Sequence, residues 1–567
     1  MRADESFGEE AASIERELER LESARLIERI WGRDVSLWKR EESHQKIIRN
    51  ALGWLDVATK MRAQVDGLRS FAREVRDAGF NYVMLLGMGG SSLCPEVLRR
   101  TFGPIQGWPE LLVLDSTDPD TVASFAGRIE PQRTLFIVSS KSGTTIEPLS
   151  FYKFFHEQVR ARSPQATGDH FIAITDPDTP LERLARERGF RRIFSNPPDI
   201  GGRYSALSFF GLVPAALMGL DIAAALERAA AAMRACGPDL PARENPAARL
   251  GTAMADFARR GKDKLTLVTG PEIASFGLWV EQLIAESTGK EGVGIVPIAG
   301  EPLGEPEVYA DDRMFVAVHA EELDARSERA LEALASRGHP VIHRRLKDGM
   351  DLWAEFFVWE MATAVAGALL GINPFDQPNV QESKDRTAML LERFAAQGSL
   401  PDERPLLETS EAFIYGETSI EEDDLFALIG DHFKRARAGR DYIALLVYLE
   451  ETQEHDALLR DVRRSLRDRL RVATTAGYGP RYLHSTGQLH KGGPDTGLFL
   501  ILTEEDRVDL PIPGEKYSFG VLEKAQALGD FAALLDRRRR ALRVHVRQGR
   551  DGLQLLLEAA RSLKVES

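Results

Sequence analysis

From Asn81 onward the chain alternates short apolar, β-branched runs with helix-like stretches: Tyr82–Leu86, Leu111–Leu114, Thr134–Val138 and Phe171–Ile174, followed by Arg192–Phe194. Strands separated by helical connections do not pair as hairpins, so the pattern predicts a parallel, doubly wound sheet with helices on both faces. In such a sheet ligands collect at the carboxyl ends of the strands. A second series follows the Pro- and Gly-containing stretch 237–247, with strands expected at Lys264–Val268, Gly294–Pro297, Arg313–Val318 and Pro340–His343 and a long helix over Asp351–Leu370.

The 567 residues exceed what one core organises, and the pattern divides them into four parts. A helical N-terminal arm covers 1–75 and packs on the unit after it. Two doubly wound α/β units cover 76–236 and 237–396 and read as candidates for distant copies of each other. Residues 397–409 read as a linker, and a further mixed α/β unit covers 410–567. In that last unit Tyr442–Tyr448, Thr496–Leu502 and 541–546 are strand-like, while Asp456–Leu470 and Leu522–Leu535 are helix-like. The basic run Arg537–Arg540 reads as a solvated helix end.

The ends of the strands carry the unusual residues. SSKSGTTIEP (139–148) follows the run Thr134–Val138 and opens a helix near Pro148. Hydroxyls and backbone N–H groups at a strand-to-helix turn make a phosphate cradle, and the helix dipole adds to it. The chain lacks GxxxxGK[ST], which points to a small phosphorylated metabolite over a nucleoside triphosphate. The same residue types also serve as simple helix caps. GMGGSSL (87–93) ends the Tyr82–Leu86 strand and reads either as a tight turn or as the second wall of the same ligand site. A dinucleotide fingerprint would need a third glycine that is missing.

Gly201-Gly202-Arg203-Tyr204-Ser205 offers an arginine whose charge is always present, either for an anion or for a structural ion pair. In Phe276–Thr288, Gln282 and Glu286 stand at i and i+4 and so share a helix face, an arrangement that suits a positioned general base.

A net charge of -14 gives no nucleic-acid footprint, so an anionic ligand has to be held by local geometry. Cys94 and Cys236 are the only cysteines and have no metal-ligand spacing, which suits a reducing, cytoplasmic setting. The acidic start MRADESFGEE lacks an apolar signal core, and no run of 18 apolar residues occurs, so neither export nor a membrane span is expected.

Jointly, GMGGSSL (87–93), SSKSGTTIEP (139–148), GGRYSALS (201–208), QLIAESTGK (282–290) and FDQPNVQESK (375–384) resemble the glucose-6-phosphate isomerases, in family order. The resemblance implies two sugar-isomerase (SIS-type) domains holding a small phosphosugar, with no metal and no redox cofactor. It assigns Gly89, Gly90, Ser91, Ser140, Lys141, Ser142, Thr144 and Thr145 to the phosphate. Glu286 becomes the base that moves a proton between C2 and C1, Arg203 stabilises the enediolate, Gln282 lines the pocket, and Lys384 assists ring opening.

One departure concerns histidine. In the family a ring-opening histidine follows the glutamate and comes from a second subunit; here the intervening histidines, His319, His339 and His343, sit in or beside apolar strands. YLHSTGQ (482–488) is similar to the histidine segment of shorter bacterial isomerases, so the role passes to His484, with His490 as runner-up. This order resembles the isomerase half of bacterial transaldolase–isomerase fusions, and transaldolase activity itself is not expected. The expected reaction is isomerisation of glucose 6-phosphate and fructose 6-phosphate. Alternatives are an enzyme that also accepts mannose 6-phosphate and a non-catalytic phosphosugar regulator. The resemblance leaves room for a homodimer.

Overall fold

The computed structural model describes residues 2–401, 403–417, 423–547, 549 and 551–563. The chain starts in strand β1 (Arg2–Ser6) and passes through short helices that end in Val65–Asp77. The first sheet then comprises β2 (Tyr82–Leu86), β3 (Glu110–Leu114), β4 (Thr134–Ser139), β5 (Phe171–Thr175) and β6 (Arg192–Ser195), in the order β3-β2-β4-β5-β6 and parallel throughout. The strand order reverses between β2 and β4, so the crevice of this sheet opens where those two strands end.

The second sheet contains β7 (Lys264–Thr269), β8 (Val296–Ile298), β9 (Arg313–His319) and β10 (Val341–Arg345), in the order β1-β10-β9-β7-β8. Its four later strands repeat the first sheet's winding, with the reversal between β7 and β9. The expected all-helical arm needs correction here: β1 lies antiparallel along β10, pairing Arg2 with Arg345 and Ser6 with Val341. RADES carries no apolar alternation, because an edge strand is held by its backbone; the Glu5–Arg249 ion pair adds a side-chain tie.

The third sheet has β11 (Leu407–Glu408), β12 (Ala412–Gly416), β13 (Tyr442–Tyr448), β14 (Ala473–Tyr478), β15 (Gly497–Glu504) and β16 (Arg540–Val546), in the order β11-β12-β16-β15-β13-β14. β11 falls inside the expected linker, recruited by pairing Leu407 with Ile414. The basic run is also more than a solvated end. Arg537 pairs with Glu382, Arg539 donates to the carbonyls of Lys491 and Gly493, and Arg540 reaches Asp441.

Two helices set the site's position. Phe276–Thr288 follows β7 and is apolar almost all round, so it is buried along nearly its whole length, its polar residues Glu281, Gln282 and Glu286 included. Val380–Gln397 lies against Phe519–Asp536 of the C-terminal unit, with Ser383 donating to Asp530 at 3.1 Å. The helical stretch Gly349–Leu370 is long and apolar enough to cross a membrane, yet 89% of its most apolar window is buried inside the protein. It is a core helix: Trp353 and Trp359 are fully enclosed.

Candidate active site

β2 and β4 are neighbours in register, Leu86 beside Val138, so the loops that follow them leave the sheet side by side. The Ser139 hydroxyl donates to the Ser91 carbonyl at 3.1 Å and ties the two loops together. In the 139–148 turn, Ser140 and Thr145 face each other at 3.0 Å, as do Ser142 and Thr144, and the Gly143 N–H donates to Ser140 Oγ at 3.1 Å. Gly143 has φ +67° and packs so closely on Leu181 that a side chain is excluded. Directly behind stands the 17-residue helix Ile146–Arg162, whose N-terminus faces this ring of hydroxyls. Pro148 is tolerated because it lies in the first turn.

Lys141 departs from its expected place. Its amine is taken by the Asp176 carboxylate and the Pro198 carbonyl, away from the four hydroxyls. Asp176 immediately follows β5, the neighbour of β4, and captures the cation locally.

The glycine turn 87–92 sets the closest approaches. A Cβ on Gly90 would stand 2.2 Å from the Gly202 carbonyl oxygen, and one on Gly89 would meet Gln282 Nε2 at 2.9 Å and the His484 carbonyl at 2.8 Å. Segments from all three α/β units therefore converge on one turn. Gly90 brings in Arg203, which is only 3% exposed. Its Nε donates to Ser287 Oγ at 2.8 Å, and its Nη2 to the carbonyls of Pro374 and Asp376 at 2.7 and 2.8 Å. Its Nη1 lies 3.0 Å from Glu286 Oε1 and 3.1 Å from Gln377 Oε1.

The other oxygen of Glu286 accepts from Gln282 Nε2 at 3.1 Å, and the same amide donates to the His484 carbonyl at 2.7 Å. Beneath this group, Lys290 is buried against Asp376 Oδ1 at 2.8 Å and the Asn373 carbonyl at 2.9 Å. Burial, with the neighbouring Arg203 charge, pushes its pKa down to about 8 although Asp376 opposes the shift.

His484 comes from the same chain. It ends a short helical turn after β14, and its Nε2 lies 2.9 Å from Oε1 of Glu147, a residue in the first turn of Ile146–Arg162. Gln526 donates to the same oxygen at 2.7 Å. Burial works to raise the Glu147 pKa, and the His484 imidazole, its hydrogen bond and the Lys384 charge override it and hold the carboxyl below its ordinary value. Lys384 itself is exposed in the first turns of Val380–Gln397, and its link to the site is this electrostatic one. His490 is enclosed by Tyr442, Tyr482 and Phe499, and neither ring nitrogen has a partner. Burial and Lys491 push its pKa down to about 3, so it is a neutral packing residue.

The segment that carries His484 is pinned at both ends. Arg481 binds Asp115 through two bonds of 2.9 and 2.7 Å and Glu451 at 2.7 Å. Gln488 donates to the Gly289 carbonyl and to Asn379 Oδ1, at 2.9 and 2.8 Å. Glu147, Lys290, Asp376 and Gln377 lie within the family-like strings, but nothing local in the sequence gives them a place; Gln526 and Arg481 carry no signal short of the fold.

A parallel five-stranded sheet and a second sheet whose four parallel strands repeat its winding, with a hydroxyl cradle at the reversal point of the first, define the sugar-isomerase class of α/β protein. The chain belongs to the phosphoglucose isomerase family, whose statistical description matches residues 9–293. It is 30% identical over 379 residues to the glucose-6-phosphate isomerase of Rubrobacter xylanophilus, covering 57% of this chain and 86% of that protein. It is 27% identical over 415 residues to the enzyme of the same name from Carboxydothermus hydrogenoformans, covering 63% of this chain and 88% of that one. Among solved structures, a hypothetical protein from Thermus thermophilus shares the fold with a TM-score of 0.58 and 24% identity, covering 68% of this chain and 99% of that chain.

Proposed function

We propose that this chain interconverts glucose 6-phosphate and fructose 6-phosphate. One observation carries the reading: Glu286 is held between Arg203 Nη1 at 3.0 Å and Gln282 Nε2 at 3.1 Å, in the crevice that also holds the hydroxyl cradle. A module that merely binds phosphosugars needs the cradle and has no use for a buried carboxylate fixed on both oxygens.

On this mechanism Ser140, Ser142, Thr144 and Thr145, with the backbone of the 87–92 turn and Ser91, hold the phosphate, which does not react. Fixing that end holds C1 and C2 against Glu286. His484, oriented by Glu147, moves the proton between the ring oxygen and O1, and Lys384 adds positive charge at the mouth. Opening the ring exposes the carbonyl that makes the C2 proton acidic. Glu286 takes that proton and returns it to C1 while the hydroxyl proton passes from O2 to O1; Arg203 balances the negative charge of the enediolate formed in between. Because His484 and Glu147 belong to one chain, a homodimer is not required to complete this set. A cytoplasmic setting fits two free, buried thiols. Burial pushes the pKa of Cys236 up to about 12 and that of Cys94 well above the usual thiol value.

The test is a coupled assay on the full chain with fructose 6-phosphate, and with mannose 6-phosphate as a second substrate. Glucose 6-phosphate formation that disappears in Glu286→Gln supports the reading. Tight phosphosugar binding with no turnover in the parent would replace it with a regulator.

A further inference from the structure

The second sheet carries a group of metal-ligating side chains that the sugar chemistry does not use. His319 ends β9, His343 lies in the adjacent parallel strand β10, and Glu328 projects from the first turn of helix Ala325–Ser336, which connects those two strands. One ligand atom from each lies within 4.8 Å of the other two. None of the three takes part in the contacts of Glu286, Arg203, Gln282, Glu147 or His484.

The hydrogen bonds around His319 set its tautomer. Its Nδ1 lies 2.7 Å from the Glu321 carbonyl, which can only accept, so Nδ1 carries the proton and Nε2 presents its lone pair. That Nε2 is buried and has no partner, on a residue only 4% exposed. The buried Nδ1 of His343 likewise has no partner. Two orphaned imidazole nitrogens beside a carboxylate are costly in a plain core, whereas a cation satisfies both.

The loop behind the site is also fixed. Glu272 accepts from the N–H groups of Ala320 and Glu321, at 2.7 and 3.1 Å, and so holds the carbonyl that orients His319. This is the outer support that a metal-ligating histidine requires.

We propose that His319, His343 and Glu328 form a binding site for a divalent first-row transition metal of the Zn²⁺ class, tying helix Ala325–Ser336 to strands β9 and β10. Two imidazoles and one carboxylate favour such an ion over Mg²⁺ or Ca²⁺, which take oxygen ligands. Small rotations of the two rings and of Glu328 bring the donors to the separation of about 3.3 Å that ligands ~2.0–2.1 Å from a tetrahedral ion have.

The experiment titrates the chelator-treated full chain with ZnCl2 by calorimetry, and with CoCl2 by visible absorption. One Zn²⁺ per chain is expected, with ligand-field bands in the cobalt form and a rise in thermal midpoint of about 2 °C or more at saturation. His319→Ala and Glu328→Gln should each weaken binding by about ten-fold or more and abolish the thermal shift. Glu328 is half-exposed, so Glu328→Gln tests the site even where His319→Ala perturbs folding. No saturable binding up to about 100-fold excess metal, or equal binding by parent and Glu328→Gln, overturns the proposal.

Discussion

His484 and Glu147 stand 337 positions apart in the chain and 2.9 Å apart in the fold, imidazole Nε2 against carboxylate Oε1. The contact joins the C-terminal unit to the first turn of the helix behind the hydroxyl cradle, so on the proposed mechanism the group that orients the histidine also flanks the anchor of the substrate.

Removing either partner should therefore strike the same step. His484→Ala is expected to slow turnover from the closed ring more than from an open-chain substrate, and Glu147→Gln should do likewise to a smaller degree. The double variant should lose no more than about the single histidine variant, since residues that act as a unit are not additive. Equal losses on closed and open substrates would assign the pair a structural role only.

Glu286→Gln is expected to leave phosphosugar affinity within a few-fold and to lower turnover by about 10²–10⁴, the scale of a positioned base. Steady-state kinetics with a separate binding measurement checks it. Near-normal turnover removes Glu286 from the proton transfer.

The cradle should be read out in substrate binding. Ser140→Ala and Thr145→Ala remove the two ends of a 3.0 Å hydroxyl pair and are expected to raise KM by about ten-fold each, with a smaller change in kcat. Lys141→Ala, whose amine is held by Asp176, should raise KM less than either.

Gly90→Ala tests the convergence of loops. Its Cβ would lie 2.2 Å from the Gly202 carbonyl oxygen, so the turn that carries Arg203 must retreat. A loss of about 1–3 kcal/mol in unfolding free energy is expected, along with a fall in kcat. Denaturant melts and kinetics on one preparation separate the two effects.

Acid should loosen the C-terminal unit through Glu451. Burial acts to raise its pKa, but Arg481 and Arg100 override this and hold it at about 2, against an ordinary 4.5. A folded-state pKa below the unfolded one stabilises the fold above about pH 4.5 and is lost as pH falls towards 2, a term on the order of 3 kcal/mol. Glu451→Gln should flatten the pH dependence of stability across that window; an unchanged slope would show that other carboxylates dominate it.

Much of this is legible in the residues because apolar runs and strand-end loops are local signals. β2, β4 and β13 start where their β-branched runs start, and Gln282 and Glu286 share a face because helix geometry demands it. β1 and β11 leave no such trace, since both are short edge strands whose pairing comes from partners that no local pattern names. Lys141 misleads for the same kind of reason: a lysine in a phosphate-like loop looks available until Asp176, from the next strand, is brought beside it. Glu147 lies in plain view inside SSKSGTTIEP, yet its partner is set by tertiary structure alone.

The pinning of residues 481–488 by Asp115, Glu451, Gly289 and Asn379 also bears on how the protein is made. On the ribosome, the 139–148 turn and Glu286 emerge while His484, 202 positions beyond Gln282, has yet to be synthesised. On the proposed mechanism a chain ending near residue 400 keeps the hydroxyl cradle and Glu286 and lacks His484, so it should turn over a closed-ring substrate more slowly than the full chain while losing less on an open-chain one.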